Sequence, residues 1–220
     1  MKLNNEKREI VFSTEMFVRQ KLENEGSGHD WWHIYRVRNL ALKIAETEGG
    51  DSFTVEMAAL LHDIDDWKIT GNSEQNQVKN WLNKLGTDEE TSGNILEIIE
   101  QVSFKGAGVE TIPSTPEAKI VQDADRLDAI GAIGIARTFA YGGSKGRLIY
   151  NPDIKPENHV DFEAYKKNNG PTINHFYEKL LLLKDRLNTV TARRIAEKRH
   201  QFMESFLEEF FREWHENREN

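Results

Sequence analysis

Four side chains on three apolar segments have the residue types that bind a divalent cation. His33 and His62 supply imidazoles, and Asp63 and Asp125 supply carboxylates. Each lies among apolar residues at helical spacing, so we expect all four to face the interior. A buried ionised carboxylate is unfavourable unless a partner compensates its charge. If the four side chains meet, they predict a metal site, and mixed nitrogen and oxygen ligation favours Mn2+, Fe2+, Co2+, Ni2+ or Zn2+.

Three helical segments must position these residues. Asp30 is predicted to cap a helix that runs to about Glu48 and carries the first histidine on its buried face. Thr54 is predicted to cap a short apolar helix, VEMAALLHDIDD, which carries the second histidine and its neighbouring aspartate. Thr115 and Pro116 mark the start of the third helix, TPEAKIVQDADRLDAI, because proline is favoured in the first turn.

The rest of the chain also has mainly helical periodicity, and no strand-like alternation extends over more than a few residues. The predicted fold class is therefore all-α. Further helices are predicted at 5–24, 73–85, 88–102, 131–141, 172–188 and 190–215, with a mainly loop segment at 142–171. An aromatic stripe recurs every four residues in the last helix and is predicted to pack in the core, with a dimer contact as the alternative. The stripe consists of Phe202, Phe206, Phe210 and Trp214.

The composition argues against several classes of protein. The formal net charge of -8 disfavours a general nucleic-acid binder, which usually has a basic face. The absence of cysteine excludes disulfides, thiolate nucleophiles and cysteine-ligated zinc. The N-terminal segment lacks the apolar core of a signal peptide, and no stretch approaches the roughly 20 apolar residues of a membrane span. The expected location is the cytoplasm, without a membrane partner.

The order of the motifs resembles the H…HD…D signature of the HD-domain superfamily of metal-dependent phosphohydrolases. The words ALLHDIDDW and DADRLDAIG carry the resemblance, which extends over about residues 28–145. The flanking words GHDWWHIYRV, GIARTFAYGG and TINHFYEKL are similar to those of the small stand-alone bacterial members. The resemblance implies an HD-domain helical bundle with additional C-terminal helices. We expect one domain, 1–220, with its core at about 28–145 and a helical extension at about 172–216.

The resemblance also implies a ligand set and a metal count. His33, His62, Asp63 and Asp125 are the expected ligands, and Asp123 and Asp128 are rivals of Asp125 that the ADRL motif disfavours. HD proteins with two metals usually carry further histidines on the helix between the HD pair and the last aspartate. That helix here reads ILEIIEQVSFKG and has no histidine. One divalent ion is therefore expected, with Mn2+ favoured and Mg2+, Co2+, Ni2+, Fe2+ or Zn2+ as alternatives.

The implied reaction is attack of water on phosphorus, since a bound cation acidifies water and polarises a phosphoryl oxygen. By similarity to related hydrolases, Asp66 is expected to act as the general base, and the metal ligand Asp63 is the other expected catalytic residue. Cationic side chains would then hold the phosphate chain, and the GGSKGR loop could add backbone N–H groups as an anion nest. The candidate substrate-binding residues are Arg36, Lys68, Lys145, Arg147, His175 and Lys179.

The leading hypothesis is hydrolysis of nucleotide phosphate bonds, with release of pyrophosphate from nucleoside triphosphates. The enzymatic alternatives are a nucleotide 5′-monophosphatase and a hydrolase of another small phosphate ester. The non-enzymatic alternative is a metal-binding module that senses a nucleotide without turnover. A nuclease is disfavoured by the acidic charge balance.

Overall fold

Helices dominate the part of the chain that the computed structural model describes, residues 3–23, 30–65, 76–102, 111–157 and 169–216. No β-strand occurs within those ranges. The predicted all-α class is therefore confirmed. None of the helices in the described ranges is both long enough and apolar enough to cross a lipid bilayer.

Nine α-helices and one 3₁₀ helix follow one another along the described ranges. They are α1 Asn5–Leu22, α2 Trp31–Glu48, α3 Ser52–Leu61, α4 Gln77–Lys84, α5 Glu89–Val102, α6 Pro116–Asp128, α7 Gly131–Ser144, α8 Asn174–Glu178, the 3₁₀ helix Leu180–Arg186 and α9 Val190–His215.

Two of the predicted helix starts are confirmed in detail. The Asp30 carboxylate accepts the backbone N–H of His33 at 2.8 Å and so caps α2. The Thr115 hydroxyl accepts the backbone N–H of Ala118 at 3.1 Å and caps α6, with Pro116 as the first helical residue. The two helices that carry His33 and Asp125 therefore begin at the residues that the sequence indicates.

Helix α2 packs against both α3 and α6, and α3 also contacts α6, so these three helices enclose the centre of the molecule. Their facing side chains are almost completely buried. Ile34, Val37, Ala41 and Ile44 come from α2, Val55, Ala58 and Ala59 from α3, and Ile120, Val121 and Ala124 from α6. The candidate metal ligands His33, His62, Asp63 and Asp125 all lie on or directly after these three helices.

The prediction for α3 was wrong at both ends. The cap is Asp51, whose carboxylate accepts the N–H and the hydroxyl of Thr54 at 2.9 and 2.7 Å, so the helix begins before Thr54. The helix ends at Leu61, and His62 is its C-terminal cap residue. The HD pair therefore lies in the turn that leaves the helix, not within the helix.

The long helix predicted at 172–188 is instead a short α-helix followed by a 3₁₀ helix. The backbone leaves the α-conformation at Lys179, which has φ -144° and ψ -59°. A 3₁₀ helix has three residues per turn and therefore aligns positions i and i+3. Leu180 and Leu183 consequently share one buried side, where an α-helix would separate them further.

The aromatic stripe of α9 agrees with the core interpretation in part, since Phe206 and Phe210 pack against the core and are partly buried. The Phe206 ring stacks on Phe176 of α8 at a centroid distance of 5.7 Å. Phe210 and Trp214 both make edge contacts with Tyr150, at 6.0 and 5.0 Å. Phe202 and Trp214 are 52% and 42% exposed, so the two ends of the stripe do not lie in the core.

Candidate metal centre

Four polar side chains converge between α2, the end of α3 and α6. One ligand atom from each of His33, His62 and Asp63 lies within 4.8 Å of the other two. His33 Nε2 is 3.2 Å from Asp63 Oδ2, and His62 Nε2 is 3.5 Å from Asp63 Oδ1. Asp125 Oδ1 approaches the same two imidazole nitrogens, at 3.6 Å from His33 and 3.9 Å from His62. The structure thus brings together all four residues that the sequence singled out.

Burial is uneven across this cluster. The side chains of His33, His62 and Asp63 are 0, 2 and 7% exposed, whereas that of Asp125 is 25% exposed. The cluster is therefore closed by protein on the side of the histidines and reachable from solvent on the side of Asp125.

The second histidine is oriented by the last turn of α3, the helix that it follows. His62 Nδ1 lies 2.9 Å from the backbone carbonyl oxygen of Ala59. Since a carbonyl can only accept, Nδ1 must carry the hydrogen, which leaves the lone pair on Nε2. His62 Nε2 is buried and has no hydrogen-bond partner among the described residues. A buried acceptor without a donor is unfavourable, and a cation in the cluster would satisfy it.

The first histidine is oriented by a side chain from another helix. His33 Nδ1 lies 2.8 Å from Asp128 Oδ2. Burial and the nearby charge of Arg137 lower the pKa of His33, but hydrogen bonds to Asp128 and Asp63 outweigh them and raise it. The raised pKa shows that the carboxylates around His33 favour a positive charge at this place. A proton on Nε2 and a metal ion are alternative ways to supply that charge.

The donor set fits one divalent cation. Two imidazole nitrogens and two carboxylates from separate segments point to a common centre, and their negative charge is available to balance a cation. The mixed nitrogen and oxygen set is of the type that transition metals prefer. The chemistry of the residues present therefore agrees with the expected metal site.

Asp128 is the residue beside the cluster whose role the sequence did not indicate. Its carboxylate accepts hydrogen bonds from Arg36 Nε at 2.7 Å, from Arg36 Nη2 at 3.0 Å and from Arg137 Nη1 at 2.9 Å. Burial alone would raise the pKa of Asp128, but hydrogen bonds from His33 and Arg36 hold it well below its usual range. The sequence indicates Asp128 only as a rival of Asp125 for the metal, and it does not indicate Arg137.

A local signal for Asp128 does exist. Residues three apart on a helix are separated by about 60° around the axis, so Asp125 and Asp128 share one face of α6. Asp123 lies about 160° from Asp125 by the same arithmetic and faces away from the cluster. It accepts the backbone N–H groups of Asn188 and Thr189, each at 2.8 Å. Asp123 therefore fastens the start of α9 to α6 and does not join the cluster.

The candidate substrate-binding residues of the described ranges lie in different surroundings. Arg36 is engaged with Asp128 through two nitrogens and is 31% exposed. Lys145 Nζ and the guanidinium carbon of Arg147 lie 5.6 and 5.5 Å from the ring centroid of Tyr141. His175 and Lys179 lie within and directly after α8. Contact of these residues with a substrate stays a prediction.

The prediction of an anion nest at GGSKGR is wrong. Helix α7 continues through Ser144, and Gly146 has φ +65°. The N–H of Arg147 donates to the carbonyl of Gly142 at 2.9 Å, and that of Gly146 donates to Gly143 at 3.1 Å. These two bonds form the Schellman ending of a helix. The backbone donors of this loop are therefore used by the helix and do not face an anion.

Two candidate residues, Asp66 and Lys68, lie outside the described residues. Their neighbour Asp65 is described, and its carboxylate accepts the backbone N–H groups of Gln77 and Val78 at 3.0 and 3.2 Å. Asp65 thus caps the start of α4 and is a structural residue.

The chain is similar to known proteins over most of its length. The family model of the HD domain matches residues 31–130. The uncharacterized protein YpgQ of Bacillus subtilis is 43% identical over 194 residues, which is 87% of each chain. The crystal structure of an HD-superfamily hydrolase from Bacillus thuringiensis has a TM-score of 0.73 at 48% identity and covers 94% of this chain and 98% of that one. The crystal structure of YpgQ in complex with ADP has a TM-score of 0.74 at 38% identity, with 92% and 97% coverage.

Proposed function

The chain belongs to the HD-domain superfamily, and from this premise we propose that it is a metal-dependent phosphohydrolase that acts on nucleotides. The reaction to test first is hydrolysis of a nucleoside triphosphate to the monophosphate and pyrophosphate. The observation that carries the proposal is the approach of His33 Nε2 and His62 Nε2 to the carboxylates of Asp63 and Asp125, at 3.2 to 3.9 Å.

In this proposal the four converging side chains hold one divalent cation, with Mn2+ as the favoured ion. When bound, the cation supplies positive charge that acidifies water and polarises a phosphoryl oxygen. The protein side chains hold that charge in a largely buried position and leave access on the side of Asp125, which is a quarter exposed. We infer that the phosphate chain enters from that side.

The general base of the proposal is Asp66, by its resemblance to the acidic residue that follows the HD pair in related hydrolases. Its carboxylate would accept a proton from the attacking water as the new bond to phosphorus forms. The bond from phosphorus to the bridging oxygen breaks, and the electron pair leaves on pyrophosphate. Lys145 and Arg147 are proposed to contact the phosphate chain, together with Arg36 and Lys68, while His175 and Lys179 are further candidates.

A nucleotide substrate is supported by a relative. YpgQ of Bacillus subtilis has been crystallised in complex with ADP. The net charge of -8 does not oppose an anionic substrate, because local cations and a metal ion determine the potential within a site.

The first experiment is a matrix of divalent metals against nucleoside mono-, di- and triphosphates, with identification of every product. We expect phosphohydrolysis that depends on added metal and stops with EDTA. His62→Ala and Asp63→Ala should each lose metal binding and at least about a hundredfold in turnover, because the charge of the cation contributes several kcal/mol to the barrier. Full activity in either variant would contradict the metal site.

Two neighbouring carboxylates provide a matched pair of variants. Asp66→Asn should keep Mn2+ affinity and lose turnover, since a general base acts on the water and not on metal retention. Asp65→Asn should keep both, because Asp65 caps α4. Release of inorganic phosphate only from monophosphates would indicate the monophosphatase alternative. Nucleotide binding without product under any metal would indicate a sensor.

A further inference from the structure

In both histidines of the cluster, Nε2 faces the centre and Nδ1 makes a hydrogen bond outside it, but the two Nδ1 atoms have different kinds of partner. His62 donates its Nδ1 hydrogen to the backbone carbonyl oxygen of Ala59, three residues earlier in α3. His33 instead contacts the side chain of Asp128, which lies 95 residues later in the chain and on another helix. The orientation of His33 therefore depends on a residue that a single substitution can remove.

The hydrogen between His33 and Asp128 can be assigned by elimination. Arg36 and Arg137 donate three hydrogen bonds to the Asp128 carboxylate, and a guanidinium can only donate. The carboxylate is therefore an acceptor toward all its partners and has no hydrogen to offer. Nδ1 of His33 must be the donor, at 2.8 Å. In the neutral ring, the lone pair is then on Nε2, the atom that faces Asp63 and Asp125.

We propose that Asp128 is a positioning residue that fixes His33 in its Nδ1–H tautomer and thereby aims the Nε2 lone pair at the metal centre. The inference rests on the metal site of the proposed function and not on its substrate. A carboxylate behind a histidine ligand is known to fix the ring and increase its basicity, and its loss typically costs 10- to 100-fold in metal affinity. Asp128 is 1% exposed, and the two arginines prevent its carboxylate from turning away.

A competing explanation is that Asp128 serves only as counter-ion to the two arginines. Two substitutions separate these roles. Asp128→Ala removes both the charge and the acceptor, whereas Asp128→Asn removes the charge and can retain an oxygen toward His33 Nδ1. A counter-ion role is damaged equally by both substitutions, while a positioning role is partly rescued by asparagine.

The same helix provides a matched control. Asp123 is also buried, at 0% exposure, and its carboxylate accepts hydrogen bonds from Asn188 and Thr189 rather than from a cluster histidine. Asp123→Ala and Asp123→Asn should lower the free energy of unfolding. They should leave the Mn2+ affinity of the folded protein unchanged.

The experiment is titration of the metal-free full chain with Mn2+ alone, by calorimetry and electron paramagnetic resonance, alongside urea unfolding of each variant. We expect Asp128→Ala to weaken Mn2+ binding by about 10- to 100-fold, Asp128→Asn to weaken it clearly less, and the Asp123 variants not at all. Equal losses in both Asp128 variants, unchanged affinity in Asp128→Ala, or an equal loss in the Asp123 variants would each overturn the inference.

One measurement needs no variant and so avoids any failure to fold. Long-range proton–nitrogen correlation spectra of the metal-free wild-type protein, at a pH where His33 is neutral, report which ring nitrogen carries the hydrogen. The Nδ1–H form is expected, and the Nε2–H form would overturn the inference. Mn2+ binding without nucleotide hydrolysis would contradict the proposed function alone, whereas absence of Mn2+ binding would overturn both.

Discussion

The centre between α2, α3 and α6 and the aromatic region around α9 each join several segments of the chain, but they are built from opposite kinds of side chain. The centre gathers two histidines and several carboxylates whose charges need compensation. The aromatic region gathers rings from α7, α8, α9 and the loop after α7, in contact at centroid distances of 5.0 to 6.2 Å. The first arrangement is suited to holding an ion, and the second is suited to holding the C-terminal helices on the rest of the molecule.

This difference predicts that the two regions respond differently to substitution. Changes at the centre should alter metal affinity and turnover, and changes in the aromatic region should alter stability alone. Substitution of the cluster residues, described above, has the largest expected effect on activity. Three further experiments follow in order of decreasing effect, of which the first tests the comparison directly and the other two test the caps of α6, α9 and α3, the helices on which the two regions are built.

Phe176→Ala should produce a large loss of stability with an intact metal site. Phe176 is fully buried and contacts the rings of Phe139 and Phe206. Truncation of a buried phenylalanine leaves a cavity and typically costs about 3–5 kcal/mol. Urea unfolding should show this loss, while Mn2+ affinity under native conditions stays at the wild-type value.

The control for this variant lies on α9 itself. Phe202 is half exposed, so Phe202→Ala should change the free energy of unfolding by less than about 0.5 kcal/mol. Weakened Mn2+ binding in Phe176→Ala would show that the two regions are coupled and would break the comparison.

The N-caps of α6 and α9 allow a second test, because both are threonines. The Thr115 hydroxyl accepts the N–H of Ala118, and the Thr189 hydroxyl accepts the N–H of Ala192 at 3.2 Å. Thr189 also donates its hydroxyl to the buried carboxylate of Asp123 at 2.8 Å. Thr115→Ala should therefore cost about 1 kcal/mol and Thr189→Ala about 2 kcal/mol of unfolding free energy.

Serine variants at both positions retain the hydroxyl and should recover most of each loss. Thermal or urea unfolding measures these differences. An equal cost at the two positions would show that the bond from Thr189 to Asp123 adds nothing to the cap.

The smallest expected effect is the pH dependence of the cap of α3. Burial alone would raise the pKa of Asp51, but hydrogen bonds from Thr54 outweigh it and lower the pKa. A carboxylate with a lowered pKa in the folded state stabilises the protein above its unfolded pKa of about 3.9, and this contribution is lost as the pH falls. The stability advantage of wild type over Asp51→Asn should therefore shrink between about pH 5 and pH 3.

This comparison is made on the metal-free protein, with Thr115→Ser as the control. The cap of α6 carries no charge, so the difference between that variant and wild type should not vary with pH over the same interval. An advantage at Asp51 that grows on acidification would contradict the lowered pKa.

The sequence allowed prediction of the helices around the centre because their signals are local. Asp30 and Thr115 cap the helices they precede, and the apolar spacing places His33 on a buried face, whereas Asp125 is a quarter exposed. The convergence of the four side chains was expected from their separate burial and from the resemblance to HD domains.

Features that depend on contacts between distant segments could not be predicted in this way. The bonds of Asp128 join residues 92 and 95 positions apart, and nothing in the local spacing specifies which helices meet. The break of the helix at Lys179 likewise follows from the burial of Leu180 and Leu183 against the rest of the core. The Schellman ending at Gly146 was not predicted either. Glycines are unfavourable within a helix, so the sequence predicts that α7 ends at 141, whereas it continues to Ser144.

Helix α6 carries three aspartates whose carboxylates have three different contacts. Asp123 binds the start of α9, Asp125 lies in the cluster, and Asp128 contacts His33 Nδ1. A single residue inserted or deleted between Asp123 and Asp128 would turn one of these side chains by about 100° around the helix axis relative to another, and their contacts could not all be kept. Evolution can therefore exchange side chains on the exposed positions of this helix, but it cannot easily change the helix's length at this point. Natural relatives that differ in size are expected to have gained or lost residues elsewhere, such as in the loop that follows α7.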